Sequence, residues 1–115
     1  MTEEKIITEW IEAAHVSAFS KDGGAAIKVG DDQIAVFNFA SRNEWYAVSN
    51  LCPHKKQMIL SRGMLGDKGG IPKVVCPFHK KQFSLSTGDC IDDSSCESVK
   101  TFPVKVENDI VYVGI

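Results

Sequence analysis

The sequence predicts an all-β fold. Segments rich in β-branched and aromatic residues recur at intervals of about eight to twelve residues, with Gly, Asp or Asn at the turns between them. The clearest pairs are residues 25–29 with 33–39, joined by Gly-Asp-Asp, and the C-terminal VKTFPVKV with IVYVGI, joined by Glu-Asn-Asp. We therefore expect antiparallel sheets that form a small barrel or sandwich.

The remaining elements follow in chain order. Residues 7–13 are predicted as a strand, although their apolar positions would also suit one face of a short helix. Residues 45–50 form a third strand that leads to Cys52, and residues 72–76 form a short strand that ends at Cys76. DKGG, at 67–70, is predicted as a turn, because it lacks the spacing of a phosphate-binding loop. Much of the core should come from Ile34, Val36, Phe37, Trp45, Tyr46, Val48, Phe102, Val104, Val106, Val111 and Val113.

Composition limits the function classes. The chain has 115 residues, of which 43% are hydrophobic and 24% charged, and its formal net charge is −2. We expect a single domain over residues 1–115, with no general attraction to nucleic acid or membrane. The acidic N-terminus does not resemble a secretion signal. We therefore expect a cytoplasmic location, in which cysteines are thiols or metal ligands rather than disulfides.

Two related motifs carry the chemistry. CPHKKQ at 52–57 and CPFHKKQ at 76–82 each place a cysteine and a histidine at the end of a predicted strand. Proline after each cysteine favours a rigid turn at a loop tip. Two such loops facing each other would bring together two thiolates and two imidazoles.

This pattern, Cys-x-His and Cys-x-x-His on two loops, resembles that of Rieske-type iron–sulfur proteins. The resemblance extends through LSRGML, FSLSTGDC and FPVKVENDIVYV, and so from Trp10 to the C-terminus. It implies a [2Fe-2S] cluster in a two-loop subdomain at about residues 50–92. Cys52 and Cys76 would bind the inner iron, and His54 and His79 the outer, exposed iron.

Departures from the commoner family pattern bear on the redox potential. Gln57 and Phe78 stand where high-potential members have a disulfide between the loops, and Lys81 and Phe83 stand where they have hydroxyl groups. The resemblance therefore implies the low-potential, ferredoxin-like branch. Lysines also follow each histidine where glycine is commoner. They either surround the cluster with positive charge that steers an acidic partner or are simply solvated surface lysines.

Other interpretations are weaker. A structural zinc site also uses two cysteines and two histidines, but zinc fingers usually place them as Cys-Cys and His-His pairs. A catalytic Cys–His dyad would not need two copies. His15 stands alone and is expected to be structural or solvent-facing. Cys90 and Cys96 lie outside the ligand pattern and are expected to be buried or partly buried thiols.

Within the family, the segments HKKQMILSRG and CPFHKKQFSLSTGDCI are most similar to the small subunit of assimilatory NAD(P)H nitrite reductases. That resemblance implies an accessory electron-transfer or docking subunit with no catalytic site of its own. Its partner would be a large subunit that carries flavin and sirohaem and reduces nitrite to ammonia with six electrons. Two alternatives remain open: a cluster-free structural subunit of the same complex, and a Rieske ferredoxin that supplies an aromatic-ring oxygenase.

Overall fold

The computed structural model describes residues 10–29, 32–52, 57–77, 80–91 and 98–115. These residues form strands and three short 3₁₀ turns, with no α-helix among them. The strands are β1 Trp10–His15, β2 Gly23–Val29, β3 Asp32–Phe39, β4 Glu44–Ser49, β5 Leu51–Cys52, β6 Gln57–Met58, β7 Met64–Lys68, β8 Ile71–Val75, β9 Gln82–Ser84, β10 Thr101–Phe102, β11 Val104–Glu107 and β12 Ile110–Gly114. The 3₁₀ turns are Val16–Ala18, Ala40–Arg42 and Leu60–Arg62. None of the helical segments in these ranges is long and apolar enough to span a membrane.

The strands form antiparallel sheets, as predicted. One has the order β10-β4-β3-β2 and another the order β1-β12-β11. The cluster-binding region predicted from the motifs contains two smaller sheets, β5-β6 and β7-β8-β9. The all-β prediction is therefore confirmed. DKGG is a turn as predicted, because β7 ends at Lys68 and both Gly69 and Gly70 have positive φ.

The N-terminal segment is a strand where the structure describes it. Trp10 pairs with Gly114 and His15 with Ile110, so β1 borders the sheet beside β12. Long-range pairing decided between strand and helix, which the periodicity of the segment left open. Residues 7–9 lie outside the described ranges. His15 is exposed, as expected. Its Nδ1 accepts a hydrogen bond of 3.1 Å from the Ser17 amide, so its role is structural, as the cap of the following 3₁₀ turn.

The core consists of two buried clusters. The predicted core residues Ile34, Val36, Phe37, Val48, Val111 and Val113 are buried, and Trp45, Tyr46, Phe102 and Val104 are partly buried against them. Val106 was predicted as core, but it is 40% exposed, because β11 is an edge strand and Val106 lies near its end. The prediction also missed the buried residues beside the motifs, which are Leu60, Val74, Cys76, Phe83, Leu85 and Val99.

An ionic cluster connects the four-stranded sheet β10-β4-β3-β2, here called the main sheet, to the sheet β7-β8-β9, which bears the second motif. The Arg42 guanidinium donates to Glu44 Oε1 at 2.8 Å and to Asp67 Oδ2, on β7, at 3.4 Å. Tyr46 donates its hydroxyl proton to the same Glu44 oxygen. The bond from Arg42, followed by that from Tyr46, lowers the pKa of Glu44. Burial, and then the bond to Glu44, raises the pKa of Tyr46.

Candidate metal centre

The first motif begins a tight hairpin. Cys52, the last residue of β5, pairs with Gln57, the first residue of β6, and Leu51 pairs with Met58. The pairing leaves residues 53–56 as a four-residue connection, which includes His54. The first motif therefore corresponds to one hairpin, with its cysteine at the base.

The second motif has the same design. The Cys76 amide donates to the Lys81 carbonyl at 2.8 Å, and the Lys80 amide donates to the Cys76 carbonyl at 2.9 Å. In both motifs the cysteine is matched with the residue five positions later, Cys52 by strand pairing with Gln57 and Cys76 by its bond to Lys81. In both sequences four residues lie between these partners, so the repeat seen in the sequence is also a repeat of backbone pairing.

The described residues do not include the complete ligand set. His54 and His79 lie outside the described ranges, and only the backbone of Cys52 is described. Within the described part of the chain, no three His, Cys, Asp or Glu side chains form a group that could hold a metal ion. The four-residue ligand set thus stays a prediction, and Cys76 is the member whose side chain can be examined.

Cys76 has the surroundings that an inner ligand needs. Its side chain is fully buried and is a free thiol. It belongs to the same buried cluster as Val74, Phe83 and Leu60. A sulfur that is not committed to a disulfide is available as a metal ligand, and the apolar side chains around it would limit the access of water to a bound cluster. The described residues therefore fit a cluster bound at this end of the hairpin.

Packing brings the first hairpin towards the second. Leu60 follows β6 and shares its buried cluster with Cys76. Gly63 lies so close to β8 that an added Cβ would be 2.5 Å from the Val75 carbonyl oxygen. Only glycine permits that approach without movement of the backbone. The exit of the first hairpin is thus held against the strand that leads to Cys76.

Asn50, which was not predicted as a site residue, holds the base of the first hairpin. Its carbonyl accepts bonds from the Ile59 and Leu60 amides, at 2.9 and 3.1 Å, and its amide donates to the Gln33 carbonyl at 2.9 Å. Its side chain is buried, accepts from the Ser61 amide at 2.6 Å and donates to Gln33 Oε1 at 2.9 Å. The position of this polar residue, immediately before the strand that ends at Cys52, could have indicated its role from the sequence.

Two predictions about neighbouring residues can be compared with the structure. Phe83, which stands where high-potential relatives have a hydroxyl, is fully buried and offers no side-chain donor. Cys90 was predicted as a thiol, and that prediction was wrong, because Cys90 is disulfide-bonded. Cys90 lies after β9, and its backbone forms an antiparallel β-bridge with Phe83. Cys96 lies outside the described residues.

Lys80 has an unusual backbone conformation. Its φ is +60°, in the left-handed region that glycine adopts most readily. A positive φ at this position favours glycine, in agreement with the commoner family pattern described above, in which glycine follows this histidine. The chain keeps a lysine at this position despite a conformational cost on the order of 1 kcal/mol.

Comparison with known proteins agrees with this geometry. The model of the Rieske-like [2Fe-2S] domain family matches residues 9–114. The NADH nitrite reductase small subunit of Escherichia coli K12 is 29% identical over 107 residues, which are 93% of this chain and 98% of that protein. The large subunit of a Klebsiella oxytoca NAD(P)H nitrite reductase is 38% identical over 105 residues, and this chain spans 11% of its length.

Two further matches are a ferredoxin component and a solved structure of a small subunit. The ferredoxin component of the naphthalene 1,2-dioxygenase/salicylate 5-hydroxylase systems of a Ralstonia species is 31% identical over 99 residues, which are 86% of this chain and 88% of that protein. The crystal structure of a Mycobacterium tuberculosis protein assigned as an NADH-dependent nitrite reductase small subunit superposes with a TM-score of 0.87 at 29% identity. It covers 96% of this chain and 97% of that one. With its paired hairpins, its buried thiol and a family match over nearly its whole length, this chain belongs to the Rieske-like [2Fe-2S] domain family.

Proposed function

We propose that this chain is the small subunit of an NAD(P)H-dependent nitrite reductase, an accessory electron-transfer subunit with no catalytic site of its own. The observation that carries the proposal is the end-to-end match to small-subunit proteins, in sequence over 98% of the E. coli subunit and in structure at a TM-score of 0.87. The partner is a large subunit with flavin and sirohaem, which reduces nitrite to ammonia with six electrons during nitrate assimilation.

The proposed cluster ligands are Cys52, His54, Cys76 and His79. A [2Fe-2S] cluster bound there would supply one-electron transfer. The two hairpins would present the ligands, with Cys76 on the buried side. Two thiolates and two neutral imidazoles balance the charge of two ferric ions and two sulfides, whereas four thiolates would leave it negative. Phe83 gives the cluster no hydroxyl bond, which supports a potential in the lower part of the Rieske range.

The proposed complex is cytoplasmic, and residues 1–115 act as one domain. The demand for NAD(P)H as reductant and the family resemblance support the location. The Cys90 disulfide is unusual for a cytoplasmic protein, because reducing compartments keep most thiols reduced.

The ligand assignment is tested by purifying the protein without oxygen. We expect about two irons and two sulfides per chain and the visible absorbance of a Rieske cluster. His79→Ala should lose the cluster and keep a cooperative thermal transition, because position 79 lies in sequence between β8, which ends at Val75, and β9, which begins at Gln82. His15→Ala is the matched control, since His15 is exposed and lies outside the motifs. Full iron content in His79→Ala would contradict the assignment.

The assignment as a subunit is tested with a nitrite reductase large chain. Adding the cluster-loaded small chain should increase NADH-dependent nitrite reduction by the large chain. The variant Cys52→Ser/Cys76→Ser, which cannot hold the cluster, separates two roles. If it restores activity equally, the chain is a cluster-free structural subunit. If it binds without restoring activity, electron transfer is the role.

A second candidate is a ferredoxin that supplies an aromatic-ring oxygenase. The 31% identity with the Ralstonia ferredoxin component favours it. Parallel titrations against an oxygenase and a nitrite reductase large chain decide between the two candidates. If the chain transfers electrons to the oxygenase and not to the nitrite reductase large chain, it is a ferredoxin and the proposed function is wrong.

A further inference from the structure

The charge of this chain is divided unevenly. Residues 51–81, which contain both motifs, have seven Lys or Arg residues and one Asp, so their formal net charge is +6. The rest of the chain has six Lys or Arg against fourteen Asp or Glu, a net charge of −8. The single acidic residue, Asp67, bonds to Arg42 outside the segment. The overall charge of −2 therefore conceals a strongly basic motif-bearing region.

Exposed apolar side chains lie in the same region. Met64 is 75% exposed and Met58 is 39% exposed. Met58 pairs with Leu51, one position before the pairing of Cys52 with Gln57. Met64 pairs with Val75, the residue before Cys76. Each methionine is thus within one strand position of a predicted ligand cysteine, and both are more exposed than core methionines are.

Two cations accompany these methionines. Arg62, between them in sequence, is exposed and ends the 3₁₀ turn after β6. Lys80, on the second hairpin, is exposed and keeps its strained φ of +60°. Neither forms an ion pair with an acidic residue in the described ranges. We call these four residues, Met58, Arg62, Met64 and Lys80, the basic ledge.

We propose that the basic ledge is the docking surface for an acidic patch with an apolar centre on the large subunit, an inference that rests on the proposed function. Charge complementarity selects this occupant: the two cations of the ledge, Arg62 and Lys80, lie in a segment of formal net charge +6, which attracts an acidic protein and repels a basic one. Flexible methionines supply apolar contact that adapts to a protein surface. Docking there places the partner against the hairpins that bear the predicted ligands.

The proposal is tested by measuring the affinity of the complete chain for a nitrite reductase large chain by calorimetry, at several salt concentrations. Met64→Glu should weaken binding at least about tenfold, because it places a charge at the apolar centre. Its matched control is Ile71→Glu at the other end of the β7–β8 hairpin, where an exposed apolar residue receives the same charge.

A second pair tests the electrostatic part. Arg62→Glu should weaken binding and reduce its salt dependence, whereas Lys28→Glu, the same change of charge on β2, should do neither. Thermal transitions and iron contents are measured for all four variants, to check that the fold and the cluster are intact in each. The affinity readout does not require turnover, so it also works with the cluster-free protein.

The outcomes separate the two proposals. Weaker binding for Met64→Glu and Arg62→Glu, with both controls unchanged, supports the basic ledge. Unchanged affinity for all four variants overturns the ledge but not the subunit assignment. Failure of the unmodified chain to bind the large chain overturns both. Self-association of the chain that Arg62→Glu abolishes would show that the occupant is a second copy, which also overturns the proposal.

Discussion

At the scale of single residues, Asn50 has the largest structural role near the motifs. It lies between the main sheet and the first hairpin and bonds to both, through Gln33 on one side and Ile59, Leu60 and Ser61 on the other. Every bond that it makes satisfies a group close to the buried core. Apolar side chains supply most of the buried surface in this region, whereas the hydrogen bonds of Asn50 fix where the hairpin begins.

Asn50→Ala should therefore destabilise the protein by about 2 kcal/mol, because the Ser61 amide and the Gln33 side chain lose a buried partner. Chemical denaturation measures this change, and iron content after anaerobic purification should fall with it. Asn38→Ala is the control, since Asn38 is half-buried on β3 of the same sheet. A loss of the same size in Asn38→Ala would show that Asn50 has no special role.

At the scale of elements, the two hairpins share one design and differ in where the histidine falls. Cys52 pairs with Gln57 across the first hairpin, and the Cys76 amide donates to the Lys81 carbonyl in the second, so the backbone fixes the base of both. A loop with a fixed base loses less conformational entropy when it binds a cofactor. The second loop includes a cost of its own, the positive φ of Lys80.

Lys80→Gly should stabilise the protein by about 1 kcal/mol, because glycine adopts this φ without the steric penalty that a Cβ causes. Lys80→Ala removes the same charge but keeps the Cβ, so it should give no such gain. Thermal and chemical denaturation compare the two variants. If both stabilise equally, relief of charge repulsion is the cause and the backbone is not. Both variants should weaken docking at the basic ledge.

At the scale of the whole molecule, the ionic cluster of Arg42, Glu44, Tyr46 and Asp67 ties the main sheet to the sheet that bears the second motif. All of its groups are at least partly accessible to water, so screening limits its energy. Its contribution to stability nevertheless has a definite pH dependence, because the folded state lowers the pKa of Glu44 below its ordinary 4.5.

A carboxyl group with a lowered pKa stabilises the folded state above its unfolded pKa, and this contribution is lost as the pH falls through the folded value. The melting temperature of the unmodified protein should therefore exceed that of Glu44→Gln near pH 7, and the difference should shrink as the pH falls below about 4.5. Thermal denaturation from pH 7 to pH 3 measures this. A difference that is independent of pH would contradict the assignment of stability to the Glu44 charge.

Features that depend on neighbours along the chain could be predicted before the structure was known. Alternating apolar residues and turn residues predicted the strands of the sheets, and the two Cys-His segments resembled Rieske-type proteins, a resemblance that implied the kind of cofactor. These predictions succeeded because strand pleating and tight turns are set within a few residues. The inclusion of Val106 in the core failed for the complementary reason, since edge position is not a local property.

Contacts between distant residues could not be predicted and became visible in the folded chain. Burial of Leu60, Val74 and Phe83 around Cys76 and the five bonds of Asn50 join positions far apart in sequence or separated by turns. The concentration of charge on the motif-bearing loops can be counted from the sequence, but its meaning depends on the exposure of Met58 and Met64. Composition constrains what can be buried, whereas long-range pairing selects which groups actually lie together, and function depends on that selection.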